Sequence, residues 1–495
     1  MRTPSLAFFC LLSALPAQAT KAPPQLAFPE THAGRAAQAY FAAVADGTEA
    51  ACVAFEAAWR APEKLETSSA AERGSRLVEL LDRIGVLQPV RLAAADAASV
   101  AVVARSDQIP MALQCTFEMQ PQAPHKLLSI AIRPAMTEAE EVEDDWETLP
   151  ELLGRVREQC GAPALAAEMV RDGEVASIGA VGAAATGTDT AVQADDRFHL
   201  GSISKSMTAT MIGRLVERDV LSWTTTIGEA LRELDVREDY RAVTLRQLLQ
   251  HRGGIQPHLL FSDEESARWS APPTPLAQRA AFVAAVLQEE PNGTPGATFD
   301  YSNAGYAIAA HIAERTTGKT WETLMRDEVF GPLELETAEF GWPASPARPT
   351  QPQGHTVEGE SLTPEGLEAE PVGGFLAPAG DVCMSMGDLG RFARAHLRGL
   401  AGEDGLLTAA TVRTLHTAPK ATGGMVYACG WMLEERDGLI AHVHAGSGGT
   451  FYVSMELYPE HDVAIVVAAN AATAEVLGGI EAVLTALRTR HDIGE

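Results

Sequence analysis

Residues 201–210 read GSISKSMTAT. The stretch holds three serines, Ser202, Ser204 and Ser206, and one lysine, Lys205. The lysine is either a solvated charge on a helix or the partner of a serine nucleophile. Arginine is the default cation of this chain: of 38 basic residues, six are lysine. Lysine gives up its proton when desolvated and arginine effectively does not. A base beside a nucleophile needs that property. Only Lys205 has a serine three residues before it, and that serine is Ser202. Three residues along a helix bring both side chains to one face. A serine in the first turn also meets the free N–H groups and the positive end of the helix dipole. Met207, Met211 and Leu215 recur every four residues and give the helix a core face. Ser204 and Ser206 are out of phase with the lysine. Serine is also an ordinary N-cap, so the reading needs support from the rest of the chain.

Two later stretches supply it. Among seven tyrosines, only Tyr301 begins a Y-x-N, in FDYSNAGY. A tyrosine near a lysine can take part in proton transfer, and Asn303 offers both a donor and an acceptor to an amide. The plainer reading is a polar turn in which Asn303 bonds its own backbone. The stretch HVHAGSGGTFYV contains His444-Ala445-Gly446. H-x-G also occurs at His32, His199 and His251, but only His444 follows the Y-x-N and precedes a strand-like run.

Ser202-x-x-Lys205, Tyr301-x-Asn303 and His444-x-Gly446, in that order, resemble the serine β-lactamase and penicillin-binding protein family. The likeness is to its branch of class C β-lactamases, D-alanyl-D-alanine carboxypeptidases and esterases. LRQLLQHRGGI, PGATFDYSNAGYAIAAHIAERTTGK and GGFLAPAGDVCMSMGDLGRF follow that family's connecting text, and the likeness runs over about residues 155–490. It implies an α+β fold, an antiparallel sheet flanked by a helical region. It implies a serine hydrolase in which Ser202 forms an acyl-enzyme and Lys205 and Tyr301 move protons. Asn303 and His444 would orient the substrate, and the oxyanion would lie between the backbone N–H groups of Ser202 and Ser447. Gly446 would leave room for substrate along its strand. The usual Lys-Thr/Ser-Gly third motif is absent, since no lysine follows Lys420. A neutral histidine pulls less on a carboxylate than lysine does. Ester or amide hydrolysis of esterase or D-amino-acid peptidase type is therefore expected ahead of β-lactam hydrolysis. A silent peptidoglycan-binding or partner-binding member of the fold is the third reading. His442 and His444 share a strand face, but no carboxylate follows at metallo-hydrolase spacing, so neither metal nor cofactor is expected. His251, His258, His311 and His396 read as packing or surface residues.

The chain has 495 residues, enough for two domains. Its net charge of −28 and lack of a basic run exclude a nucleic-acid partner; the expected partner is a small molecule or peptide with an ester or amide bond. Residues 1–19 combine an early arginine, an apolar run and Ala17-Gln18-Ala19, the pattern of a cleaved signal peptide, and predict a periplasmic or secreted protein. No later run is long and apolar enough to span a bilayer. Beyond the leader five cysteines remain, an odd number with no C-x-x-C pair, which demands no disulfide framework. Residues 28–135 predict a small N-terminal accessory α+β domain. Its long first helix ends at Gly47 and is followed by the strand-like runs SVAVVARS, ALQCTFEMQ and HKLLSIAIRP. This block resembles the ketosteroid-isomerase-like cone. Residues 136–150 are acidic and predict a solvated linker. Residues 151–495 predict the hydrolase domain, its sheet completed by strands from both ends.

Overall fold

A computed structural model describes residues 26–494 except 67, 107–112, 136–141, 260, 359–360, 370–371, 420–425 and 437. The expected leader, residues 1–19, lies outside the described residues.

The first helix runs His32–Asp46. Thr31 caps its start, and Gly47 at φ 71° ends it. Ala37, Tyr40, Phe41 and Val44 lie on its buried face. They pack on a four-stranded antiparallel sheet of β1 (Gln88–Ala95), β2 (Ser99–Arg105), β3 (Leu113–Met119) and β4 (Leu127–Pro134), in the order β1-β2-β3-β4. Tyr40 meets Phe117 edge to face at 5.2 Å. Helices Glu49–Trp59 and Ala70–Ile84 complete this unit, which has a hydrophobic core of its own. Cys52 and Cys115 are both buried in that core as free thiols.

The acidic stretch is not solvated throughout. Residues 136–141 lie outside the described residues, but Trp146 is only 6% exposed. The Arg490 guanidinium lies over its ring at 3.1 Å and donates to Asp144 at 2.6 Å. Within the expected linker 136–150, Asp144 pairs with Arg490 and Asp145 with Arg155 at the surface, and Leu149 begins the helix Leu149–Cys160.

The larger unit is built on a six-stranded antiparallel sheet. Its strands are β5 (Ala164–Arg171), β6 (Glu174–Gly182), β12 (Met432–Arg436), β13 (Leu439–Ser447), β14 (Tyr452–Tyr458) and β15 (Val463–Ala469), in the order β12-β13-β14-β15-β5-β6. The last strand in sequence therefore pairs with the first, Ile465 opposite Met169. One face is covered by Leu149–Cys160 and the closing helix Ala474–Arg490, which bury Leu152, Val156, Ile480 and Val483. Each such side chain contributes about 1.5–3 kcal/mol. The other face meets the helical region, where Ser204–Glu217 is buried almost throughout. Around it pack Pro275–Val286, Asn303–Thr317 and Met386–Leu400. Between the first strands and these helices lie a three-stranded sheet, β7 (Phe198–His199), β8 (Glu339–Phe340) and β11 (Val382–Met384), and the pair β9 (His355–Glu358) and β10 (Ser361–Pro364). β7 feeds directly into residues 201–203 and so fixes where Ser202 sits.

Candidate active site

Ser202 lies in a 3-10 turn, Gly201–Ile203, that leads straight into the helix Ser204–Glu217. Two glycines let the end of β13 press onto this turn. Gly201 has φ +49°, and a Cβ on it would fall 2.3 Å from the Ser447 nitrogen. A Cβ on Gly446 would fall 2.0 Å from the Leu200 oxygen and 2.6 Å from the Ser202 nitrogen. Its bare α-carbon therefore faces the serine turn. The room a Cβ would take at Gly446 is filled by the backbone of Leu200, Ser202 and Ile203, so the missing side chain serves the contact between β13 and the serine turn. The Ser447 hydroxyl donates to the Phe451 carbonyl at 2.7 Å and accepts from the Gly449 N–H at 3.0 Å, which fixes the turn after β13.

The Lys205 amine donates to the Ser202 Oγ at 3.0 Å and to the Ala379 carbonyl at 2.7 Å. Lys205 is fully buried, and desolvation drives its pKa well below the ordinary lysine value. No carboxylate pairs with it among the described residues. Its neighbours are π faces: the Tyr301 ring centroid lies 5.0 Å from Nζ and that of Tyr306 5.8 Å. Ser204 and Ser206 are engaged by backbone. Ser204 Oγ accepts from the Val382 N–H at 3.0 Å, and Ser206 donates to the Ile203 carbonyl at 2.7 Å.

Tyr301 comes from the segment just before Asn303–Thr317. Burial pushes its phenol up to about 12, while a hydrogen bond with the Ser202 side chain pulls it down. Asn303 opens the helix, with Ser302 as its N-cap. Its Nδ2 donates to the His258 carbonyl at 3.2 Å. Its Oδ1 is buried without a partner among the described residues, so the acceptor end of the amide is unengaged.

His444 sits on β13 and is 2% exposed. Its Nδ1 is 2.7 Å from the Ala445 carbonyl, an acceptor only, so Nδ1 carries the proton. Nε2 then accepts from the Tyr427 hydroxyl at 2.9 Å. Burial, reinforced by the Lys205 amine, lowers its pKa to about 3. His444 is thus a neutral ring with both nitrogens engaged inside the protein.

Two residues that the motifs do not name complete the cluster. Tyr427 is 2% exposed and lies in VYACGW, which has no spacing that marks it. His251, read from sequence as packing or surface, is 2% exposed with its ring 4.1 Å from that of Tyr301. Its Nδ1 accepts from the Ser302 N–H at 3.1 Å, and its Nε2 is buried without a partner among the described residues. It holds the Tyr301-Ser302-Asn303 segment in place. Desolvation lowers its pKa well below the ordinary histidine value, with Lys205 adding to the effect.

No group of three or more His, Cys, Asp or Glu among the described residues is arranged to hold a metal ion. No helix among them is long and apolar enough to cross a membrane.

The family model described as Beta-lactamase matches residues 141–488, and the chain belongs to this family, whose members are serine hydrolases. It is 28% identical over 347 residues to penicillin-binding protein 4 of Amycolatopsis lactamdurans, covering 66% of this chain and 85% of that protein. It is 25% identical over 299 residues to an unguisins hydrolase of Aspergillus campestris, covering 57% of this chain and 54% of that one. With the D-aminopeptidase of Brucella anthropi it shares 26% identity over 255 residues, 50% of this chain and 43% of that one. The chain thus spans about half the length of these last two relatives. In fold it is similar to the octameric penicillin-binding protein homologue from Pyrococcus abyssi, with a TM-score of 0.58 and 20% identity, covering 68% of this chain and 75% of that one.

Proposed function

We propose that this protein hydrolyses an ester or amide bond through an acyl-enzyme on Ser202, in the manner of an esterase or a D-amino-acid peptidase. The observation that carries the reading is the Lys205 amine, buried with no counter-ion among the described residues and 3.0 Å from the Ser202 Oγ. A neutral amine in that place keeps one N–H on the Ala379 carbonyl and turns its lone pair to the serine hydroxyl. It takes the proton as Oγ attacks the carbonyl carbon; Tyr301, bonded to the same hydroxyl, passes its own proton to the leaving group and regains one from the Lys205 ammonium, which leaves the amine neutral again. The backbone N–H groups of Ser202 and Ser447, at the contact between β13 and the serine turn, receive the oxyanion. The free Oδ1 of Asn303 accepts an N–H from an amide substrate. Water then releases the acyl group.

The substrate class follows from what replaces the third-motif lysine. An anionic β-lactam gains from a fixed cation, since charge-assisted hydrogen bonds are about twice as strong as neutral ones. His444 is neutral and turned onto Tyr427, which favours uncharged acyl esters or amides. The relatives named D-aminopeptidase and unguisins hydrolase lend support to the amide side of the proposal. Residues 1–19, read as a leader, put the site of action in the periplasm or outside the cell, which N-terminal sequencing of the exported protein checks.

The test is covalent labelling with a fluorophosphonate probe, alongside turnover of a p-nitrophenyl acyl ester and of nitrocefin. Wild type labels and turns over the ester faster than nitrocefin, and Ser202→Ala does neither. Labelling that survives in Ser202→Ala overturns the mechanism. Failure of wild type to label makes the protein a binder, and faster turnover of nitrocefin makes it a β-lactamase.

A further inference from the structure

At the other edge of the sheet lies a cavity of about 490 Å³. Its floor is Glu168 on β5, and its apolar wall is Val170 with Val175 and Ile178 of β6. β5 is three strands from β13 in the sheet order, roughly 14 Å at about 4.8 Å per strand. None of the residues assigned to the serine site lines it.

Three features set this recess apart from ordinary packing. First, Glu168 is 2% exposed, yet its carboxyl has no hydrogen bond or ion pair with any described residue. A buried charge normally has a partner, because isolating it is expensive. The two arginines at the mouth are engaged elsewhere: Arg394 donates to the Gly173 carbonyl at 3.0 Å, and Arg391 to the Glu334 carbonyl at 2.6 Å. Second, the helix Met386–Leu400 makes way for this carboxyl. A Cβ on Gly390 would fall 2.0 Å from the Glu168 Oε1, and a mid-helix glycine costs about 1 kcal/mol relative to alanine. Third, the rim is apolar and open: Val175 is 51% exposed and Ile178 39%.

We propose that the Glu168 recess is a second binding site, remote from Ser202, for a small organic ammonium ion carried on an apolar body. The ammonium supplies the missing partner of the carboxyl, and the body lies against Val170, Val175 and Ile178. With Glu168, the carboxylates Asp195, Glu336 and Asp388 outnumber Arg391 and Arg394 in the lining and favour a cation at the entrance. Burial pushes the Glu168 carboxyl up to about 8, against the pull of Arg394 and Arg391 and with the help of Asp388. The cation takes the ionised form, so its binding releases a proton, and affinity rises with pH toward 8.

Calorimetry on the full chain with n-butylammonium tests this, and it needs no turnover, so its outcome is independent of the proposed hydrolysis. Butylammonium binds saturably; n-butanol and butyrate do not. Glu168→Gln keeps the shape and weakens binding at least about tenfold, the loss of a charged hydrogen bond. Butylammonium affinity strengthens between pH 6 and 8. Equal binding of n-butanol, unchanged affinity in Glu168→Gln, or affinity flat in pH overturns the proposal. Should Glu168→Gln not unfold cooperatively, Ile178→Lys at the exposed rim decides the matter. It puts a resident cation in the recess and abolishes binding if the proposal holds; retained binding overturns it.

Discussion

Two histidine networks leave the helix Ser204–Glu217 and end two residues apart on β13, and they differ in what they leave undone. One starts at Lys205 and gathers Ser202, Tyr301, His251, Tyr427 and His444. The other starts at Thr210, whose hydroxyl donates to the Ser206 carbonyl at 2.8 Å and stands 3.0 Å from the His396 Nε2. His396 Nδ1 is 2.9 Å from His416 Nε2, and His416 Nδ1 is 2.9 Å from His442 Nδ1. Because Thr210 has already given its proton to a carbonyl, His396 must donate to it. His416 must then donate to His396, and His442 to His416. Every contact in this chain is complementary. The Lys205 network is also buried and also neutral, but it keeps the His251 Nε2–H and the Asn303 Oδ1 unengaged among the described residues. Both networks hold histidines far below their ordinary pKa by desolvation, His444 and His396 alike to about 3. A perturbed pKa alone therefore does not mark the site. Unmet hydrogen-bonding capacity beside a nucleophile does.

The sharpest way to break this distinction is at the lysine. Lys205→Arg keeps a cation but cannot supply a neutral amine. It should lower kcat/KM by about 10³-fold, the scale of a general base, and fall within about tenfold of Lys205→Ala. Substantial rescue by arginine would reduce Lys205 to a charge. The pH profile checks the same point. Neutral amine accumulates as pH rises through the lowered Lys205 pKa, so kcat/KM climbs to a plateau well below pH 10. His444 adds no limb near 6.5, because it is already neutral there.

Next comes the contact that carries the strand end to the serine. Gly446→Ala adds a methyl where the Leu200 oxygen and the Ser202 nitrogen lie. The strand must shift away, and a misplacement of about 1 Å can cost about 10²-fold in rate. A near-wild-type kcat, measured on the neutral ester, would show that the close approach is incidental. Smaller still is Tyr427→Phe. It leaves the buried His444 Nε2 without a donor and removes one neutral hydrogen bond, so activity should fall about tenfold, with about 1 kcal/mol lost from stability. An unchanged rate would place Tyr427 with the other network.

What the sequence showed and hid follows from the range of each signal. The first helix, with its end at Gly47, was legible because periodicity and turn residues are local. Ser202 and Lys205 were legible because their relation is one helical turn. The pairing of Tyr301 and Asn303 rests on a Y-x-N that occurs once. Tyr427 and His251 carry no local mark: Tyr427 reaches His444 only because an isolated bridge pairs it with Met432, the residue opposite Val443 on β13. The close approach of the serine turn to Gly446 was not legible, because a strand pattern does not say which face that turn will press on. Trp146 was hidden by the exposed acidic residues around it, because Arg490, whose guanidinium covers its ring, lies 344 residues away in the chain.

The smallest catalytic effect, and the other half of the comparison, belongs to His396. His396→Leu leaves the Thr210 hydroxyl oxygen and the His416 Nε2–H buried and unpaired, which should cost about 1–3 kcal/mol of folding stability. Since this network touches none of the reacting groups, kcat/KM should stay within about twofold of wild type. The pH dependence adds a second signature. His396 is held at about 3 in the folded protein and returns to about 6.5 when unfolded. The unfolded chain therefore binds the extra proton. Wild-type stability is complete above 6.5 and is lost as pH falls toward 3, by up to about 1.4 kcal/mol per pH unit for each such histidine. His396→Leu removes one of them, so its stability should fall less steeply between pH 6.5 and 4, although it starts lower. Urea midpoints across that range measure the slope. A mutant that keeps the wild-type slope and loses activity instead would reverse the assignment and make the chain from Thr210 to His442 part of the working site.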